Sequence, residues 1–177
     1  MTANSRSGNL CTSCSMCCDG TLFTRIGVSQ QEKELLDEKG AFYSKKNGEI
    51  RMQLGCGYLA DDGRCECYDH RPELCRGYAC DLLRSVEEGI TSLPDALAIV
   101  EEAITLRDKS IKASQSAIMA GGASIDDATT VDALIEKVED QLKMCAPIPA
   151  PAVELAKYRY RSFVHWVRLY IKDDHLK

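Results

Sequence analysis

The stretch CTSCSMCC, Cys11 to Cys18, decides how the rest of the chain is read. Two residues separate Cys11 from Cys14 and Cys14 from Cys17. At that spacing a tight turn aims successive sulfurs at one centre, as in zinc knuckles and iron–sulfur loops. Three thiols so spaced match the run that wraps three corners of a cubane cluster, whereas a mononuclear zinc site takes one such pair per segment. Cys18 adds a constraint. Neighbouring side chains diverge, so Cys17 and Cys18 serve different metals, or one of them bridges.

Further along, Cys56, Cys65, Cys75 and Cys80 supply a second set, with Cys67 as an extra. Four thiolates from each set give eight, enough for two four-coordinate sites or for one polynuclear cluster with shared sulfurs. Spacing alone does not assign the pairing. Cys-rich sites carry excess negative charge, and Arg64, Arg71, Arg76 and Arg84 lie close in sequence to offset it and to tune a reduction potential through contacts to sulfur. Tyr68 and Tyr78 are placed to shield the site or hydrogen-bond within it. His70 is as readily an exposed loop residue as a ligand, Asp61, Asp62 and Asp69 suit turns, and Met16 suits a cap over the sulfurs.

The cysteine usage is unusual for the chain that carries it. Ten of 177 residues are Cys, nine of them between Cys11 and Cys80, and only Cys145 lies beyond. Met1 to Asn9 has one Arg and no apolar core, so no signal peptide is read there. A cytoplasmic setting follows as the expectation, and reduced thiols then favour metal ligation or redox chemistry over disulfides. Cys145 reads as an ordinary core or surface thiol. The net charge of −5 argues against a nucleic-acid grip. No apolar run approaches the roughly 18 residues of a spanning helix, so no membrane partner is expected.

Organisation changes after Cys80. Before it the sequence predicts a Cys-, Ser- and Gly-rich loop, a short strand from Thr21 to Val28, and a helix opened by the capping-box pair Ser29 and Glu32 and closed near Gly40. A hairpin around Asn47-Gly48 follows, then an irregular, ligand-held loop from Cys56 to Cys80. After it come a short helix closed by Gly89, a long one started by Ser92, Pro94 and Asp95 and stopped at Gly121-Gly122, and another opened at Ser124 with Asp127. That last helix carries Val131, Leu134, Ile135, Val138 and Leu142 on one face. Pro147, Pro149 and Pro151 break the chain before a final helix from about Ala152 to Lys172. The expected fold is mainly α: an irregular cysteine-rich metal-binding head with little β, residues 1–90, followed by a C-terminal bundle of three or four helices, residues 91–177.

The elements CTSCSMCC, CGYL and GRCECYDHRPELCRGYAC together make the chain resemble the YkgJ-like CxxCxxCC cysteine-cluster family of zinc- or iron-chelating domain proteins. Cys56, Tyr58 and Leu59 fill that family's middle element. Gly63, Cys65, Tyr68, Arg71, Pro72, Cys75, Arg76, Tyr78 and Cys80 fill the last. The resemblance covers about residues 11–80. Cys67 stands where the family carries an aliphatic residue, so it ranks below the other eight. Flagellin lysine methylases are similar to this family in their cysteine cluster, though much longer. What the resemblance implies is metal chelation, by Cys11, Cys14, Cys17, Cys18, Cys56, Cys65, Cys75 and Cys80, and no settled biochemical activity; Arg64, Arg71, Arg76 and Tyr68 are expected around the cofactor from their closeness in sequence.

Iron, as an iron–sulfur cluster or polynuclear site, leads Zn2+ as the expected cofactor because of the triple spacing. A redox, electron-transfer or metal-sensing role follows from iron. Zinc would instead make the head a staple for an interaction module whose C-terminal helices meet a protein partner. A role in a protein-modifying enzyme is the third reading. The chain shows no glycine-rich nucleotide loop and no Ser/His/Asp set, so no catalytic residues are assigned.

Overall fold

The structure, a computed structural model, describes residues 10–36, 41–122, 124–125, 131–143 and 149–171. Gly40, Asp127, Cys145, Pro147 and Lys172 lie outside the described residues, as do the side chains of Val131 and Leu142. Two compact units divide between Leu93 and Pro94.

The first unit opens with a helical turn, α1, over residues 10–14. Ser15 stops it in the left-handed region, φ 53, and the Ser15 N–H bonds back to the Cys11 carbonyl at 2.8 Å. β1 (Arg25–Val28) is shorter than the expected strand. Thr21 instead donates its N–H to Asp19 Oδ1 at 2.8 Å, which turns the chain before pairing can start. α2 (Gln30–Leu36) begins where the capping box places it, with Ser29 Oγ accepting from the Glu32 N–H at 3.2 Å and Glu32 Oε2 accepting from the Ser29 N–H at 2.7 Å.

β2 (Tyr43–Lys46) and β3 (Glu49–Gln53) form the hairpin. Asn47 and Gly48 both take positive φ, 53 and 86, as a two-residue turn that matches strand twist demands. β1 adds antiparallel to the other side of β3, giving the order β1-β3-β2 with Ile26 opposite Met52 and Tyr43 opposite Met52. Val28, Leu36, Met52, Leu54 and Tyr58 bury themselves together beneath this sheet. Tyr58 donates its hydroxyl to the Leu36 carbonyl at 2.6 Å, which satisfies a polar end inside an apolar cluster.

The segment from Cys56 to Cys80 is more regular than expected. A 3₁₀ turn spans Tyr68–His70, and α3 (Glu73–Gly77) carries Cys75. Pro72 sits at its N-cap with ψ 149, and its fixed φ starts a helix that spacing of ligands alone does not announce. α4 (Asp81–Glu87) follows, with Gly89 at φ 74 just beyond it.

The second unit is helical: α5 (Leu93–Ala120), α6 (Val131–Lys143) and α7 (Ala150–Tyr170). Ala117, Ile118, Leu134, Ile135, Val138, Val153 and Ala156 share one buried cluster, so the period-3.6 face read on α6 faces the core. Trp166 Nε1 donates to the Ile99 carbonyl at 3.2 Å, tying α7 to α5. Pro151 does not break the chain as expected. With Pro149 at the N-cap it lies in the first turn of α7, where a missing N–H costs nothing. Mainly helical with one small sheet, the fold has the expected class. Among the described residues no helix is long and apolar enough to cross a membrane.

Candidate metal centre

All nine cysteines described are free thiols, and all stand in the first unit. α1 carries Cys11 and Cys14 three residues apart, hence on one face. After Ser15 the Cys18 N–H turns back to the Ser15 carbonyl at 2.8 Å, and the Cys56 N–H donates to the Cys18 carbonyl at 2.9 Å. These bonds send Cys18 toward the second cysteine segment while Cys17 stays with the first.

The mutual influence of the thiols follows that division. Burial raises the Cys17 thiol, and the neighbours adding to it are Cys14, Cys80, Cys18 and Cys11. Burial likewise pushes Cys18 up to about 12, but there the leading neighbours are Cys75, Cys56 and Cys65. Burial pushes Cys14 up to about 12, with Cys80 and Cys11 contributing, and raises Cys11, with Cys80 contributing. Cys75 is pushed up to about 11 by burial, then by Cys56 and Cys65. These influences outline two overlapping neighbourhoods, one of Cys11, Cys14, Cys17 and Cys80 and one of Cys18, Cys56, Cys65 and Cys75 with Cys67; Cys18 also acts on Cys17, and Cys11 on Cys18. Adjacent residues 17 and 18 are the hinge between them.

Cys80 comes to the first neighbourhood from about 60 residues away in sequence, as the N-cap of α4, where its Sγ accepts from the Leu83 N–H at 3.4 Å. Cys65 lies on a small hairpin: Leu59 and Cys65 form an isolated antiparallel bridge, and the Glu66 N–H donates to the Tyr58 carbonyl at 2.8 Å. Gly63 turns this hairpin at φ 78 and packs it hard against the first segment. A Cβ built there would stand 2.0 Å from the Thr12 carbonyl oxygen and 2.7 Å from Ser15 Oγ. Only a residue without a Cβ fits, so Gly63 is the joint that aligns the two cysteine segments. Nothing in the spacing rules singled it out, although it stands at a fixed position of the resemblance.

A cavity of about 640 Å³ opens beside the second neighbourhood. Cys17, Cys18, Cys56, Cys65, Cys67 and Cys75 line it, along with apolar groups such as Phe23 and Leu74, while Cys11, Cys14 and Cys80 do not. Phe23 meets the Tyr78 ring edge-on at 5.0 Å in its wall. Cys67, ranked low from sequence, has its sulfur 3.6 Å from that of Cys65. Cys67 stands in the turn that leads into the 3₁₀ turn at Tyr68, so no strand-like alternation announced this approach.

The basic residues divide. Arg71 lines the cavity, stacks its guanidinium over the Tyr68 ring at 3.8 Å, and lowers both Cys11 and Cys75 against the effect of burial. Arg64 turns away to Asp62, its Nε 2.7 Å from Oδ2, with the pair exposed. Arg76 is exposed on α3 and acts on Glu32. Arg84 donates to the Ala79 carbonyl at 2.6 Å, bracing the entry to α4 beside Cys80. Tyr68 and His70 are exposed, and Met16 is fully buried.

The donor set is all sulfur, which suits soft or borderline metals such as iron and zinc and does not suit calcium or magnesium. Among the described residues no three His, Cys, Asp or Glu side chains stand in ligating geometry as their rotamers lie. Capture of an ion by these thiols would release the protons that burial keeps on them.

Residues 10–95 match the family model described as "CxxCxxCC: Putative zinc- or iron-chelating domain". No curated protein and no solved structure matches the chain.

Proposed function

We propose that this chain, whose residues 10–95 match the model of a zinc- or iron-chelating domain, is a metal-binding protein whose metal is iron held in two thiolate centres with a redox, electron-transfer or metal-sensing role. Cys11, Cys14, Cys17 and Cys80 would hold one centre. Cys18, Cys56, Cys65 and Cys75 would hold the other. The observation that carries this reading is the backbone hydrogen bond from the Cys56 N–H to the Cys18 carbonyl, which ties Cys18 to the second cysteine segment one residue after Cys17.

The first group supports an iron–sulfur cluster in particular. Three sulfurs come from a Cys-x-x-Cys-x-x-Cys run and the fourth from a distant segment, the ligand logic of a cubane site. Such a cluster supplies one-electron exchange when bound. The chain's own residues contribute the rest: Leu10 and Met16 anchor the two ends of the cysteine turn in the core, and the Arg71 charge offsets thiolate charge on Cys11 and Cys75. A protein partner on the C-terminal helices is supported by Leu155, Tyr158, Leu169 and Tyr170, which α7 leaves exposed.

Anaerobic isolation tests the reading. The expected product is brown, with charge-transfer absorption, acid-labile sulfide and a paramagnetic signal on reduction. Colourless protein holding stoichiometric zinc, unaffected by anaerobic handling, would overturn it in favour of a zinc-stabilised interaction module.

A further inference from the structure

Four thiolates complete a tetrahedral centre, yet the second neighbourhood contains five thiols, Cys18, Cys56, Cys65, Cys67 and Cys75. The fifth is not scattered among the others. The Cys67 sulfur lies 3.6 Å from that of Cys65, and both residues line the wall of the 640 Å³ cavity. A small reagent entering the cavity therefore meets a pair of sulfurs already in van der Waals contact. Both residues are half-buried, so neither is sealed from such a reagent.

We propose that Cys65 and Cys67 are a redox-modification site, at which a hydroperoxide oxidises Cys65 and Cys67 resolves it as an intrachain disulfide. The loss of Cys65 as a ligand rests on the two-centre reading above; the disulfide itself does not. In the first step the Cys65 sulfur attacks the peroxide, forming an S–O bond as the O–O bond breaks, and the departing hydroxide (or alkoxide) takes the Cys65 proton as water (or alcohol) when that residue is a free thiol. In the second, the Cys67 sulfur attacks Cys65, forming S–S as S–O breaks, and the departing hydroxide takes the Cys67 proton as water. The two sulfurs lose two electrons and the peroxide gains them. The second centre is left with three thiolates, while Cys11, Cys14, Cys17 and Cys80 keep theirs.

The test uses the full chain, reduced and metal-loaded as isolated, with a metal-free sample in parallel. Hydrogen peroxide is added, disulfides are mapped by mass spectrometry of digests, and released metal is followed with a chromogenic chelator. The expected result is a peptide in which Cys65 and Cys67 are joined, loss of metal from one centre, and recovery of binding after thiol reduction and metal addition. Cys67→Ser should keep the wild-type metal content when reduced, and release its metal to peroxide at least about tenfold more slowly, since the resolving thiol is gone. Mapping that finds both residues still thiols, or Cys65 bridged elsewhere, overturns the proposal. So does reduced Cys67→Ser protein that already lacks metal, because Cys67 would then be a ligand. If the two-centre reading fails instead, the metal-free sample still forms the Cys65–Cys67 disulfide.

Discussion

Replacing Gly63 with Ala places a methyl group where the chain has no room. The new Cβ would lie 2.0 Å from the Thr12 carbonyl oxygen, which is backbone and cannot rotate aside, and the residue would hold φ at +78. The left-handed backbone costs an L-residue about 1–2 kcal/mol. Overpacking adds about 1–3 kcal/mol, toward the upper end when the obstacle is main chain. The sum, about 2–5 kcal/mol, is a large share of the roughly 5–15 kcal/mol that holds a domain folded. Gly48→Ala separates the two contributions, because Gly48 has φ +86 and nothing within 4 Å of its Cβ position. It should lose only the backbone share, about 1–2 kcal/mol. Urea unfolding of the isolated, metal-loaded variants followed by circular dichroism gives both numbers, provided the m-values agree. Gly63→Ala should also bind less metal at both centres, since it pries the Cys65 hairpin off the turn bearing Cys11 to Cys18. Equal destabilisation of the two variants, to within about 0.5 kcal/mol, would refute the claim that Gly63 joins the cysteine segments.

Three further outcomes are expected. Cys80→Ser should remove the metal of the first centre alone and Cys75→Ser that of the second alone, as read by elemental analysis per chain. A folded single variant devoid of all metal would instead indicate one shared cluster. Tyr58→Phe leaves the Leu36 carbonyl without its 2.6 Å donor in a buried cluster, and should cost about 1–3 kcal/mol in chemical denaturation; a change under a few tenths would mean water replaces the hydroxyl. Glu32 accepts from the backbone N–H groups of Ser29 and Glu73, which holds its carboxyl below the ordinary 4.5. Its contribution is therefore present above that pH and lost as pH falls through the lowered value. Glu32→Ala should cost about 1 kcal/mol at pH 7 by loss of the cap, and the gap from wild type should close as pH falls below the ordinary carboxylate range; a pH-independent gap would argue against the carboxylate as its source.

The helical segments, the Asn47-Gly48 hairpin and the Ser29–Glu32 cap were legible because their signals are local: a 3.6-residue period, a two-residue turn that needs positive φ, two side chains one turn apart. The grouping of Cys11, Cys14, Cys17 and Cys18 was legible for the same reason, since Cys-x-x-Cys spacing within a turn is itself geometry. α3 was missed because Pro72 and a five-residue helix give too short a period to see among ligand-like residues. Tertiary structure alone decided what joins distant segments. It brought Cys80 to Cys11, Cys14 and Cys17 through the start of α4, drew Cys18 toward Cys56 by a backbone hydrogen bond, set Gly63 against Thr12, and put Cys67 beside Cys65 in a cavity wall. Spacing along a chain constrains only residues within a turn or two of one another. Which thiol meets which across dozens of residues depends on how the sheet, the hairpin and α4 pack, and that is a property of the folded chain.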